Sequence, residues 1–118
     1  MHPSLFLVIR RAQIRVVKAD DLWMSPHYGR DSLAIHFTFG NYPAQAHRCV
    51  RELEQVLAPF LARPHWGKLF LLEAPALATV LPRLADYQAY CREVDPAGVF
   101  TNAFTHRVLG VGNSASRR

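Results

Sequence analysis

In the stretch Ser32–Leu33–Ala34–Ile35–His36–Phe37–Thr38–Phe39, the side chains of Leu33, Ile35, Phe37 and Phe39 fall on one side of an extended chain. Those of Ala34, His36 and Thr38 fall on the other. This alternation predicts a half-buried β-strand with one polar face. Upstream, Leu5 to Val17 is rich in β-branched and large apolar residues. It predicts two short strands, or one long strand interrupted near Arg10 and Arg11. Between them, Asp20 to Arg30 is rich in Asp, Ser, Pro and Gly and reads as a loop, packed down by Leu22, Trp23 and Tyr28.

Downstream of Gly40–Asn41–Tyr42–Pro43 the period changes. Ala46, Cys49, Val50, Leu53, Val56, Leu57, Phe60 and Leu61 recur at three- and four-residue steps, which predicts a helix with one core face. Arg63 to Lys68 breaks that pattern, and Leu69 to Leu72 is expected to add a short extended piece. Two further helices are predicted over Ala76 to Leu81 and Arg83 to Val94. They are separate because Pro82 disfavours helical geometry at Leu81 and lacks the amide a continuous helix needs. The Asp95–Pro96–Ala97–Gly98 turn ends the second, and a last apolar segment, Val99 to Leu109, leads into residues 111–118, expected as a disordered tail.

Strands first and helices later give an α+β class, a mostly antiparallel sheet covered by helices on one face. The expected sheet of three or four strands is incomplete, because its long edges would normally pair with more sheet.

With 118 residues, half of them apolar and 19% charged, the chain has the composition of one ordinary packed domain rather than a disordered one. The longest apolar run, Leu5 to Ile9, is far below the ~20 residues that cross a bilayer, so no transmembrane segment is expected. A signal sequence is not expected either. Cys49 and Cys91 stand apart, consistent with a reduced, cytoplasmic setting. The net charge of +5 comes from scattered Lys and Arg without a basic stripe, which argues against nucleic acid as a partner. His27, His36, His65 and His106 lack metal-ligand spacing, and no metal is expected.

Chemistry concentrates in two places. Gln13 and Arg15 share a strand face, as do His36 and Thr38, and if the strands are neighbours these four converge on one patch suited to a polyhydroxylated ligand. A solvated strand face shows the same alternation. The Arg63–Pro64–His65–Trp66–Gly67–Lys68 run clusters an aromatic, three potential donors and a glycine able to take positive φ beside a ligand. It also reads as a plain helix-to-strand connection with Trp66 plugging the core.

Six motifs occur in order. They are Gln13–Ile14–Arg15, Ala19–Asp20–Asp21–Leu22–Trp23–Met24–Ser25–Pro26, Tyr28–Gly29–Arg30–Asp31–Ser32, His36–Phe37–Thr38, Arg63–Pro64–His65–Trp66–Gly67–Lys68 and Asp95–Pro96–Ala97–Gly98–Val99–Phe100–Thr101–Asn102. Together, over about Ala12 to Leu109, they resemble the C-terminal part of bacterial alditol (xylitol) oxidases. These belong to the aldonolactone oxidase group of vanillyl-alcohol-oxidase-type flavoenzymes, which includes D-arabinono-1,4-lactone oxidases.

The resemblance implies that residues 1–110 are the substrate-domain portion of an FAD-linked oxidase whose N-terminal FAD-binding domain is absent from this chain. It implies alditol or aldonolactone substrates oxidised at CH–OH, oxygen as acceptor, peroxide as product, and a separate flavin-binding chain as a partner. It also implies site roles: Arg15 and Lys68 catalytic, Gln13, Arg15, Thr38 and Lys68 binding substrate, and His65 beside the flavin, with Arg15 or Lys68 desolvated near the charge that develops. The family carries glutamate where Gln13 stands here. That departure, with the missing domain, leaves open a non-catalytic sugar- or protein-binding module of the same fold.

Overall fold

The structure, a computed structural model, describes residues 8–111. They divide into two compact units, one ending at Leu71 and the other beginning at Leu72. The expectations for Leu5 to Leu7 and for the tail over residues 112–118 lie outside the described residues.

The first unit opens with β1 (Ile9–Val17) and β2 (Ser32–Phe39), paired antiparallel. The register sets Gln13 opposite His36, Ile14 opposite Ile35, Arg15 opposite Ala34 and Val16 opposite Leu33. It slips between Ile9 and Arg11, which face Phe39 and Thr38, so Arg10 is the extra residue of a bulge. The interruption expected near Arg10 and Arg11 is therefore a bulge within one strand. Helix α1 (Pro43–Leu57) follows, with its proline in the first turn, where the missing amide costs nothing. A single 3-10 turn, Ala58–Phe60, continues it, and Leu61 closes the run in the left-handed region at φ 52°. Val8 and Cys49 form the buried centre of this unit, with Ile9, Phe39 and Leu53 packed around them. Burial, with the charge of Glu52 second, pushes the Cys49 thiol up from its ordinary pKa.

Two expectations are corrected. Among the described residues the sheet has two strands, not three or four, and Leu69 to Leu72 forms no strand. Its Leu71 amide donates instead to Glu54 Oε1 on α1 at 2.7 Å, so a side chain takes the hydrogen bond that a ladder would have used. The apolar face of β2 is half-buried only at its Phe37–Phe39 end. Leu33 and Ile35 are 62% and 41% exposed, and their cross-strand partners Val16 and Ile14 are 81% and 67% exposed. The buried centre gathers at the Val8–Phe39 end of the hairpin and leaves Leu33, Ile35 and their cross-strand partners uncovered. The second half of the α1 stripe behaves alike, with Val56, Phe60 and Leu61 exposed.

The second unit is helical, with α2 (Ala74–Val80), α3 (Leu84–Val94) and α4 (Ala103–Leu109). Leu81, just before Pro82, is extended at φ −109° and ψ 99°, so the proline separates α2 from α3 as its chemistry requires. After α3, Gly98 takes φ 68° in the turn, and the Asp95 carboxylate accepts from the Val99 and Phe100 amides at 2.8 and 2.9 Å. Leu77, Leu84 and Val108 are the fully buried side chains here. The chain is thus α+β, with a two-stranded antiparallel sheet and four helices among the described residues. No helix among them is long and apolar enough to cross a membrane.

Helix α4, within the stretch read only as an apolar segment, starts on a capping box. The Asn102 side chain accepts from the Thr105 amide at 3.0 Å, and Thr105 Oγ1 accepts from the Asn102 amide at 2.8 Å. Replacing Asn102 by alanine is expected to lower the stability of this unit by about 1 kcal/mol, read as a lower urea midpoint. An unchanged midpoint would mean that the cap does not hold α4.

Candidate functional site

The hairpin register decides which polar side chains meet. Gln13 lies opposite His36, Arg11 opposite Thr38 and Arg15 opposite Ala34, so Gln13, Arg15, His36 and Thr38 share one face. Arg15 Nη2 donates to Gln13 Oε1 at 3.0 Å. That bond engages one N–H of the guanidinium, which has five in all. Because the partner is a neutral amide, the positive charge of Arg15 is not cancelled.

The loop joining the strands is built by its own side chains. At its base, Asp31 accepts from Lys18 Nζ at 2.8 Å and from the Ala19 amide at 2.9 Å. Inside it, Asp20 accepts from the Leu22 amide at 3.1 Å and from Ser25 Oγ at 2.5 Å. Ser25 Oγ in turn accepts from the His27 amide at 3.0 Å. Gly29, at φ 68°, donates its amide to the Asp20 carbonyl at 2.9 Å.

Onto this loop the Arg63–Lys68 bend is tied from far along the chain. Trp66 Nε1 donates to the Met24 carbonyl at 2.7 Å across 42 positions. Arg63 Nη1 donates to the Pro26 and Tyr28 carbonyls at 3.2 and 2.8 Å. Arg30 Nη2 answers from the loop side, donating to the Leu61 carbonyl at 2.6 Å. The Trp66 ring also meets Phe70 edge-on, with centroids 5.9 Å apart. Burial, and the Arg30 charge second, draw the Arg63 guanidinium below its ordinary pKa.

This docking presents His65 and Lys68 on one turn. The Lys68 amide donates to the His65 carbonyl at 3.0 Å, and the Gly67 amide donates to His65 Nδ1 at 3.0 Å. A ring nitrogen that accepts carries no proton, so the neutral imidazole holds its hydrogen on Nε2, where it can donate to a ligand. Both side chains are exposed.

Several expectations change. Gly67 is not among the positive-φ glycines, which are Gly29, Gly98 and Gly110. Space is the tighter constraint instead, since a Cβ there would sit 3.3 Å from His65 Cε1 and push that ring aside by a few tenths of an ångström. Arg63, counted among the bend's potential donors, is committed to backbone carbonyls. Of Leu22, Trp23 and Tyr28, expected to anchor the loop, Leu22 is 66% exposed and Tyr28 is half-buried, and Trp66 and Arg63 add hydrogen bonds to the loop carbonyls. Arg15 and Lys68 are exposed in this chain. Among the described residues no hydrogen bond or ion pair joins the hairpin group, Gln13, Arg15, His36 and Thr38, to His65 or Lys68.

Acid should loosen the loop at its base. The Lys18 ammonium, then the Ala19 amide, hold the Asp31 carboxyl below its ordinary value of 3.8. A folded-state pKa below the unfolded one gives a contribution that is fully present above the unfolded value and is lost as pH falls through the folded one. The Ala19 amide resonance is therefore expected to shift, and its exchange protection to fall, only below the ordinary aspartate range. Asp31→Asn should abolish that titration, and a titration that survives the substitution would assign it to another group.

A family model described as D-arabinono-1,4-lactone oxidase matches residues 8–108. The alditol oxidase of a Streptomyces species is 44% identical over 102 residues, which cover 86% of this chain and 25% of that protein. The L-gulono-1,4-lactone dehydrogenase of Mycobacterium tuberculosis is 33% identical over 100 residues, 83% of this chain and 23% of the relative. The long-chain alcohol oxidase of an uncultured marine euryarchaeote is 34% identical over 105 residues, 81% of this chain and 21% of the relative. The chain spans about a quarter of the length of the curated relatives it matches. With the family model covering nearly all of the described residues, the chain belongs to the D-arabinono-1,4-lactone oxidase family.

Proposed function

We propose that this chain is the substrate-facing, C-terminal quarter of an FAD-linked oxidase. Its substrates are alditols such as xylitol and sorbitol, or aldonolactones, oxidised at CH–OH with oxygen as acceptor and hydrogen peroxide as product. The observation that carries the reading is the shared hairpin face on which Gln13, Arg15, His36 and Thr38 meet, in a chain 44% identical to an alditol oxidase. A polyol presents hydroxyls at regular spacing, and this face offers a guanidinium, an amide, an imidazole and a hydroxyl to match them.

The donor set fits a flavin. Arg15 and Lys68 bring two cations, and His65 brings an Nε2–H donor held in that tautomer by the Gly67 amide. FAD, when bound, supplies the redox chemistry, taking electrons from the substrate carbon and passing them to oxygen. Arg15 and Lys68 bind the substrate hydroxyls and offset the negative charge that develops as the substrate is oxidised. Gln13 and Thr38 would orient the polyol, and His65 would offer its Nε2–H to the flavin. A flavin-binding polypeptide, fused or separate, excludes water from the exposed face, and its desolvation strengthens each of these contacts. The reading places the protein in the cytoplasm, where Cys49 and Cys91 remain thiols.

A sugar-binding module without turnover is the second reading. The neutral Gln13–Arg15 bond favours it, because no carboxylate stands there to take a proton. The two readings part in a hybrid in which this chain replaces the matching quarter of the Streptomyces alditol oxidase. Peroxide formed with xylitol or sorbitol is the expected result. An FAD-loaded hybrid that binds polyol without forming peroxide would establish the module, and one that neither binds nor oxidises polyols or lactones would refute both.

A further inference from the structure

The strands of the hairpin hold cations and no anion. β1 carries Arg10, Arg11 and Arg15, and neither strand contains an Asp or a Glu. Arg11 stands opposite Thr38 and Gln13 opposite His36, so Arg11 belongs to the same polar face as Gln13, Arg15, His36 and Thr38. A bulge puts it there. Strict alternation would send Ile9 and Arg11, two residues apart, to one side. The extra residue, Arg10, lets Ile9 pack against the buried centre while Arg11 keeps its place opposite Thr38. The Arg11 side chain is exposed, and the ion pairs among the described residues, Lys18 with Asp31 and Arg83 with Asp86, leave it and Arg15 out.

We propose that the substrates this face prefers are polyhydroxy acids, linear sugar acids with a carboxylate at one end and a primary alcohol at the other, with Arg11 binding the carboxylate. The proposal rests on the oxidase reading above and names the substrate class of that site. An alditol fills the face through hydroxyls alone. It leaves Arg11 without an anion once the flavin-binding polypeptide excludes water, and an unpaired charge out of water is costly. A carboxylate supplies the missing partner, because the guanidinium fork matches its two oxygens and the Thr38 hydroxyl, opposite, adds a donor. Arg15, four residues on and about 13 Å away along β1, remains at the reacting end. Two flexible side chains rooted on one face can lean together over the five or six carbons of such an acid. The acid is also what an aldonolactone becomes when its ring opens with water, so it stays close to the substrates already named. In the reaction the primary alcohol loses two electrons and two protons, which reduce oxygen to hydrogen peroxide. It becomes an aldehyde, and the carboxylate is unchanged.

In the hybrid, kcat/KM for xylonate is expected to exceed that for xylitol at least ~10-fold, the usual advantage of a charge-assisted hydrogen bond over a neutral one. Arg11→Ala should bring the ratio of the two close to one, and Arg11→Lys should restore part of it. Gln13→Glu should also lower it, since a carboxylate beside Arg15 competes for the guanidinium and repels the acid. A variant that merely folds less well lowers both rates and leaves their ratio alone. Calorimetry gives a readout without turnover. Xylarate, a polyhydroxy dicarboxylate with no primary alcohol, should bind the FAD-loaded hybrid, and at least ~10-fold more weakly after Arg11→Ala.

A ratio at or below one would overturn the proposal, because Arg11 would then be paired by the enzyme itself. So would a ratio that Arg11→Ala leaves unchanged, and so would a clear preference for xylitol phosphate over xylonate, which would make the anion a phosphate. The two readings fail separately. Peroxide from xylitol but not from xylonate keeps the oxidase and removes the acid preference, whereas Arg11-dependent binding of xylarate without peroxide from any substrate keeps the anion site and removes the oxidase.

Discussion

Replacing Arg15 by alanine in the hybrid is expected to lower kcat/KM for xylitol ~10²–10³-fold, the usual loss when one preorganised electrostatic donor is removed from a reacting centre. Three features of the structure make Arg15 the residue to change. It lies on the polar hairpin face, its guanidinium is oriented by the 3.0 Å bond to Gln13, and the neutral partner leaves its charge intact. Its side chain is exposed and supports no other described element, so stability should change by less than ~0.5 kcal/mol. The loss then belongs to the chemistry rather than to the fold. Arg15→Lys keeps the charge but not the planar fork and should recover only part of the rate. A variant with wild-type kcat/KM would remove Arg15 from the site.

Trp66→Ala should destabilise the first unit by about 3 kcal/mol, the lower end of the range for truncating a core tryptophan, because the ring is only partly buried. Two contacts disappear together, the indole bond to the Met24 carbonyl and the edge contact with Phe70. Trp66→Phe separates them, since it keeps a ring against Phe70 and loses the N–H, and should cost about 1 kcal/mol. Urea denaturation measures both. Because Trp66 and Arg63 fasten the bend to the loop, the alanine variant should also free His65 and Lys68 from their turn, seen as weaker protection of the Lys68 amide. Equal midpoints for wild type and alanine would show that the loop and bend are not docked through the indole.

Much of this was legible in the residues. The alternation in Ser32 to Phe39, the helical period from Ala46 and the proline break at Pro82 are local signals, and local backbone rules decide them. The common face of Gln13, Arg15, His36 and Thr38 was also legible, conditional on the strands being neighbours, which the register supplies. The long-range ties were not. Nothing in the composition of Asp20 to Arg30 indicates that its carbonyls at Met24, Pro26 and Tyr28 accept from side chains 35 to 42 positions away.

The misread burial has a physical origin as well. Alternation reports which face a strand offers to a core, not whether a core is present. Ile14, Val16, Leu33 and Ile35 carry the pattern of a buried face without the cover. Gly67 shows the same limit at a single residue, because what crowds it is the close approach of the His65 ring rather than a positive φ.

Anaerobic mixing of the FAD-loaded hybrid with xylitol, followed by the loss of oxidised-flavin absorbance, tests the assignment of the substrate-facing surface most directly. The account predicts rapid bleaching in the unmodified hybrid and in an Arg92→Ala control on α3, and much slower bleaching in Arg15→Ala and Lys68→Ala. Bleaching at one common rate in all four proteins would contradict it.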